Sequence, residues 1–244
     1  MGNNNKHGFT LIEVMLFFGI SGLMMFGILA GTSTAINQQR YRDSVTSAAA
    51  FLQQQYSDVA NVYNDRSANY TCTASSVTET DSPAVQRGSS GQCVVLGKLI
   101  RASGERLESW TVIGADTGDE ELNDLAAIDA TNPFLTDLNQ QSYPLEWGAR
   151  LVRANNPPGN EPANFAVLIV RSPLSGGIRT IVSNDPNATS LSPREIIASA
   201  DPNGQAAYFC VDADGLFTGP RMRVGIEANA ASGTGVKLSQ SEDC

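Results

Sequence analysis

The residues from Phe9 to Ile36 form an uninterrupted apolar run in which Glu13 is the one charged residue. A helix of this length can cross a bilayer, because about 20 residues span the hydrocarbon core. A lone carboxylate costs roughly 2.5–3.5 kcal/mol at the centre of a membrane helix. The run therefore predicts a membrane-spanning segment near the N-terminus and a partner for the Glu13 carboxylate.

The helical pattern continues beyond the apolar run. No proline occurs between Phe9 and Asn64, and apolar residues after Ile36 recur at steps of three and four. These positions are Tyr41, Val45, Ala48, Leu52, Tyr56, Val59 and Tyr63. The spacing predicts one helix over residues 9–64, apolar all round in its first half and amphipathic in its second. We expect the second half to lie against a globular domain.

Four cysteines lie beyond the apolar run. An even number of cysteines in an exported domain indicates two disulfides. Sequence allows three pairings, and we favour Cys72–Cys93 with Cys210–Cys244 because both close short local loops; free buried thiols are the alternative. Lys6 precedes the apolar run, which favours a cytoplasmic N-terminus with the cysteines on the oxidising side.

The remaining chain, residues 65–244, contains apolar runs of strand length and predicts a mostly antiparallel β-sheet domain, so the fold class is α+β. The predicted strands are residues 93–100, 110–113, 165–170, 178–182, 208–211, 221–227 and 236–238. Two short helices are predicted, one over residues 120–129 and one that opens with a capping box from Ser192 to Glu195. We expect residues 66–92 to form a loop and the proline-rich residues 130–162 to be an irregular excursion.

The sequence contains few residues that indicate catalysis, metal binding or nucleic-acid binding. His7 is the only histidine, and the net charge of −9 disfavours a nucleic-acid-binding surface. We interpret Arg221 and Arg223 as a solvated strand face. Asp212 and Asp214 could begin a calcium loop, but Arg223 stands where such a loop ends in glutamate, which favours a plain turn. We predict no catalytic residues, no metal site and no cofactor, and a tethered hydrolase would need a carboxylate pair that does not stand out.

The segment Lys6-His7-Gly8-Phe9-Thr10-Leu11-Ile12-Glu13 resembles the processing signature of type IV pilins and type II secretion pseudopilins. A short polar leader with a basic residue is followed by Gly8, Phe9 and a glutamate at the fifth position after the glycine. The resemblance implies a prepilin leader over residues 1–8, cleavage between Gly8 and Phe9, and methylation of the new Phe9 amine. Residues 9–64 would remain as a membrane and filament helix, with a pilin-like extracytoplasmic domain over residues 65–244.

The same resemblance implies a structural subunit, in which Glu13 pairs with the Phe9 amine of a neighbouring subunit. Its partners would be other pilin subunits, prepilin peptidase, a membrane assembly platform and membrane lipid. Chain size and the absence of a late proline in the apolar half favour a minor pilin. The subunit would sit in the cytoplasmic membrane before assembly and in a surface or periplasmic filament afterwards. A type II secretion pseudopilin and a non-polymerising membrane-anchored adhesin or binding ectodomain are the alternatives.

Overall fold

The computed structural model describes residues 10–61, 70–72, 77–79, 93–115, 123–154, 159–185, 187–201, 203–213, 221–241 and 244. A single helix, α1 (Leu11–Asn61), begins the described chain and runs for 51 residues. The elements that follow are β1 (Tyr70–Cys72), β2 (Val77–Glu79), β3 (Cys93–Ser103), β4 (Arg106–Ala115), α2 (Asp124–Ala130), β5 (Phe134–Pro144), β6 (Arg150–Arg153), β7 (Asn164–Arg171), β8 (Ile178–Ser183), α3 (Pro193–Ala198), β9 (Ala207–Asp212), β10 (Met222–Ile226) and β11 (Val236–Gln240).

The strands of the described chain form three antiparallel groups. The larger sheet has the order β5-β4-β3-β7-β8, the smaller has the order β11-β10-β9-β6, and β1 pairs with β2. Every strand pairing is antiparallel. The predicted α+β class, with a long N-terminal helix beside an antiparallel β domain, is therefore confirmed.

Helix α1 has two halves with opposite environments. All side chains from Thr10 to Ile36 are exposed, whereas burial begins at Tyr41 and continues to Val59. The buried residues are Tyr41, Ser44, Val45, Ala48, Ala49, Phe51, Leu52, Gln55, Tyr56 and Val59. The predicted apolar stripe is confirmed as far as Val59, and Tyr63 lies outside the described residues.

The second half of α1 packs into a core that draws on both larger sheets. Phe165 of β7 stacks on Phe209 of β9, with ring centroids 4.9 Å apart, and this contact joins the two sheets beneath the helix. The opposite face of the five-stranded sheet has a second core, which α2 and α3 cover with Ile128, Ile196 and Ile197. Strand β7 contributes to both cores and is apolar on both faces, which agrees with the unbroken apolar run of residues 165–170 in the sequence.

Polar contacts fix α1 in this position. The Tyr41 hydroxyl accepts the Met222 N–H at 2.6 Å and donates to the Val211 carbonyl at 2.9 Å. Burial raises the pKa of Tyr41, so its hydroxyl stays protonated and keeps both bonds. Further along the helix, the buried Gln55 side chain accepts from the Ser109 hydroxyl at 2.6 Å and donates to the Gln141 side chain at 3.1 Å.

The local signals around α3 and the cysteines agree with the structure. Ser192 and Glu195 form the predicted capping box at the start of α3. Disulfides join Cys72 to Cys93 and Cys210 to Cys244, which are the two pairings that the sequence favours. The predicted strands over residues 165–170 and 178–182 are β7 and β8, which pair as an antiparallel hairpin.

Two predicted irregular regions contain strands. The interpretation of residues 130–162 as an irregular excursion is wrong, because β5 and β6 lie within it. Strand β5 is an edge strand whose last paired residue is Pro144, and an edge tolerates the proline and polar residues that conceal its pattern. Residues 66–92, expected to be a loop, include the short β1–β2 hairpin. The helix predicted over residues 120–129 begins at Asp124 among the described residues.

We predict that Tyr41→Phe lowers the free energy of unfolding by about 1–3 kcal/mol, because a buried N–H and a buried carbonyl each lose their hydroxyl partner. Chemical denaturation of the full chain in detergent micelles measures this change. Tyr208→Phe is the matched control, since Tyr208 is half exposed and its change should stay within about 0.5 kcal/mol. Equal stabilities for the two variants would contradict a docking role for the Tyr41 hydroxyl.

Candidate functional site

The first turn of α1 holds Glu13 in a reciprocal set of hydrogen bonds with Thr10. The Glu13 N–H donates to the Thr10 hydroxyl oxygen at 3.3 Å. Glu13 Oε2 accepts both the Thr10 N–H and the Thr10 hydroxyl, each at 3.3 Å. The Val14 N–H donates to the Thr10 carbonyl, which closes the first helical turn. This arrangement is a capping box, in which an N-cap threonine and a glutamate three residues later satisfy each other's backbone donors.

The capping box gives Glu13 a partner within its own chain, whereas the resemblance implies a partner only in a neighbouring subunit. Its carboxylate already has a local partner, and it lies at the positive end of the helix dipole, where a negative charge is favourable. Both hydrogen bonds use Oε2 and are long, so they stabilise the carboxylate only modestly. The threonine-x-x-glutamate spacing at the start of the apolar run is the sequence signal for this box.

The surface around Glu13 is apolar and uncovered. Exposed side chains extend from Leu11 past Phe26, and Phe17 and Phe18 lie beside the carboxylate in a shallow hollow of the helix surface. By length and composition, α1 is the one described helix that could cross a membrane, and none of its apolar window is buried within the chain. Gly8 and Phe9, the predicted processing residues, lie outside the described residues.

The four cysteines lie in the β domain, apart from this turn. Cys72 and Cys93 are buried and tie the β1–β2 hairpin to the start of β3, and they pack with Ile113 of β4. Cys210 is fully buried in β9, and its bond to Cys244 holds the C-terminus against the smaller sheet. Their position gives them a stabilising role, and loops of these lengths contribute about 3–4 kcal/mol each in the chain-entropy picture.

Arg221 and Arg223 both make contacts within the β domain. Arg221 Nε donates to Asp212 at 3.0 Å, and its guanidinium also reaches the Gly159 and Cys244 carbonyls. Arg223 lies over the Tyr208 ring at 4.8 Å. Arg221 is therefore less exposed than the prediction of a solvated strand face implies. Asp212 forms an ion pair with Arg221.

A polar cavity of about 330 Å³ lies between the end of α1 and the larger sheet. Lys98, 7% exposed, donates there to the Thr111 hydroxyl at 3.0 Å and to the Asn139 carbonyl at 3.3 Å. Burial lowers the pKa of Lys98, although the charge of Asp58 opposes that change. Burial raises the pKa of Asp58, because it disfavours the charged carboxylate. Among the described residues, no three histidine, cysteine or acidic side chains come together as metal ligands.

The N-terminal segment that contains this turn matches a known protein family. Residues 3–29 match the family described as the prokaryotic N-terminal methylation motif. The chain carries a prepilin-type methylation signal. This signal contains Gly8 and Phe9, the Thr10–Glu13 capping box and the exposed helix as far as Leu29. Beyond it, no curated protein and no solved structure matches the chain.

The prepilin-type signal is typical of type IV pilins and pseudopilins, and it is consistent with anchoring in a membrane before assembly. It is also typical of structural subunits, which assemble with other subunits after processing by prepilin peptidase. In this chain the signal coincides with the segment of α1 that the β domain leaves bare. The described part of the signal, residues 10–29, lies wholly within this exposed segment.

We predict that Thr10→Ala frays the first turn of α1, because the Glu13 N–H loses its acceptor and the Glu13 carboxylate loses the Thr10 hydroxyl, keeping only the backbone N–H of residue 10 as a donor. An N-cap replacement by alanine costs typically about 1 kcal/mol, which corresponds to roughly fivefold faster amide exchange. Hydrogen exchange at Glu13 and Val14 in detergent micelles measures this effect. Thr34→Ala is the control, since the Thr34 hydroxyl bonds only back to Ala30 within the helix. Unchanged protection at Glu13 in Thr10→Ala would contradict the capping role.

Proposed function

We propose that this chain is a structural subunit, most consistent with a minor pilin, of a type IV pilus or a related filament. The leader of residues 1–8 is removed by prepilin peptidase after Gly8, and Phe9 becomes the methylated N-terminus. Residues 9–64 then act as the membrane and filament helix, and residues 65–244 form the extracytoplasmic domain.

One observation carries this proposal: the helical segment that bears the methylation motif is bare from Thr10 to Ile36. A soluble protein rarely leaves so large an apolar surface uncovered. Lipid can cover it in the cytoplasmic membrane, and the same segments of neighbouring subunits can cover it in a filament. A continuous helix that is bare in one half and docked in the other suits both states, because the β domain need not rearrange on assembly.

Glu13 supplies the register between subunits in this proposal. In the membrane its carboxylate is held by the weak capping bonds to Thr10. In a filament the methylated Phe9 amine of a neighbour brings a positive charge to nearly the same depth. Pairing the two charges offsets part of the desolvation cost of each, since a buried charge without a partner is strongly destabilising. Mismatched axial positions would leave both charges unpaired.

The chain length and the sequence of the apolar half favour a minor subunit. The chain has 244 residues, and its apolar half lacks the late proline that the resemblance associates with many major pilins. A membrane assembly platform would extract the processed subunit from the lipid and add it to the filament. A secretion pseudopilin would use the same N-terminal machinery, and a membrane-anchored adhesin would not depend on the charge of Glu13.

We predict that Glu13→Gln is inserted and processed but is lost from sheared filaments. Glutamine at this position still accepts the Thr10 N–H, so the capping box persists while the charge is removed. Quantitative immunoblotting of the sheared and cell fractions measures incorporation.

Thr10→Ala is the matched variant, because it keeps the charge and removes the cap. It should enter filaments at close to the wild-type level. Incorporation of Glu13→Gln at the wild-type level would remove the charge from the mechanism and favour the non-polymerising alternative. An equal loss in both variants would assign the effect to helix capping.

A further inference from the structure

Trp147 has an unusual backbone for a large side chain. Among the described residues, the non-glycine positions with positive φ are three asparagines and Trp147, at φ 61°. Asparagine adopts this left-handed conformation readily, whereas a bulky residue does so only under constraint. Trp147 is also 49% exposed, so burial in the core does not by itself account for the strained conformation. Strain of this kind is a reason to look for a functional contact.

The surrounding turn holds the ring at the rim of the domain. Leu145 and Ala149, on either side of the turn, are 8% and 4% exposed and anchor it in the core. The guanidinium carbon of Arg40 lies 4.7 Å from the Trp147 ring centroid, a cation–π distance. Since Tyr41 is the first buried residue of α1, the ring lies where the helix leaves the domain.

This rim lies at the depth of a membrane surface. The bare apolar stretch from Leu11 to Ile36 spans about 39 Å at about 1.5 Å per residue. A bilayer is about 40–45 Å thick with its headgroups. Arg40 follows Ile36 by about 6 Å, so the Arg40–Trp147 pair reaches the headgroup region on the domain side.

The chemistry of the pair suits that region. Tryptophan is enriched at membrane–water interfaces, where its ring is partly buried and its N–H remains solvated. Arginine keeps its charge in water while its stem lies along apolar surface. Residues of both signs adjoin the pair in the sequence, with Arg42 and Asp43 after Arg40, and with Glu146 and Arg150 on either side of Trp147. The indole should therefore make the contact, and zwitterionic lipid should suffice.

We propose that Trp147, supported by Arg40, is an interfacial anchor that seats the rim of the β domain in the phospholipid headgroups before assembly. The inference rests on the membrane placement of α1 in the proposed function, and it adds a contact from the domain itself. The anchor would set the depth and tilt at which the subunit is presented for assembly.

Tryptophan fluorescence of the full chain in phosphatidylcholine vesicles tests the anchor. The chain has two tryptophans, Trp110 and Trp147. Trp110→Phe leaves Trp147 as the sole emitter, and Trp147→Phe leaves Trp110 as the control. Trp110 precedes Thr111, which lines the cavity beside Asp58, about 27 Å further along α1 than Arg40. Lipids brominated near the headgroup should cause about a twofold loss of Trp147 emission and leave Trp110 emission unchanged.

The outcomes distinguish a failure of the anchor from a failure of the proposed function. Chain that fails to float with vesicles would overturn both the membrane placement and the anchor. Chain that floats while Trp147 emission is unaffected by bromine would overturn the anchor alone. Shielding of Trp147 only in assembled filaments would overturn it in favour of a subunit contact.

A second variant tests whether the ring is a structural residue of the domain. Trp147→Asn fits the left-handed backbone, so its unfolding temperature in micelles should be no lower than that of the wild-type chain. A clear fall would mean that the ring stabilises the fold, and it would overturn the anchor.

Discussion

Between Ile36 and Tyr41 one continuous helix passes from full exposure to full burial. The β domain can cover only the part of α1 that follows this boundary, where Tyr41 bonds the backbones of β9 and β10. The apolar part that precedes it needs cover from outside the chain, because burial of apolar surface is the main favourable term in folding and association. In the proposed function, membrane insertion and filament assembly both depend on that uncovered half.

The two ends of the bare segment have complementary features. At its start, the capping box holds the Glu13 carboxylate at the helix terminus without burying it, which leaves the charge accessible to a stronger partner. At its end, the strained turn of Trp147 presents an indole beside Arg40. Both features lie about one bilayer thickness apart, and both cost more in an isolated subunit than in the surroundings proposed for it.

Sequence reasoning succeeded where the controlling interactions are local. The stripe through α1, the capping box of α3 and the double-sided apolar pattern of β7 depend on neighbours a few residues away. It failed where partners are distant. Gln55 is buried because Ser109 and Gln141 satisfy it, and β5 was missed because edge strands tolerate polar residues and proline. The capping role of Glu13 was local and could have been read from the sequence, whereas the place of Trp147 beside Arg40 could not.

The mass of the mature N-terminus shows whether the bare helix is retained, because retention depends on where the chain is cut. The account predicts that the mature chain begins at Phe9 with a methylated amine and keeps the whole apolar segment. Mass spectrometry of protein isolated from the membrane or from sheared filaments measures this. An intact Met1 terminus, or a terminus beyond Ile36, would contradict the account, since in the first case the signal is not processed and in the second the helix is discarded.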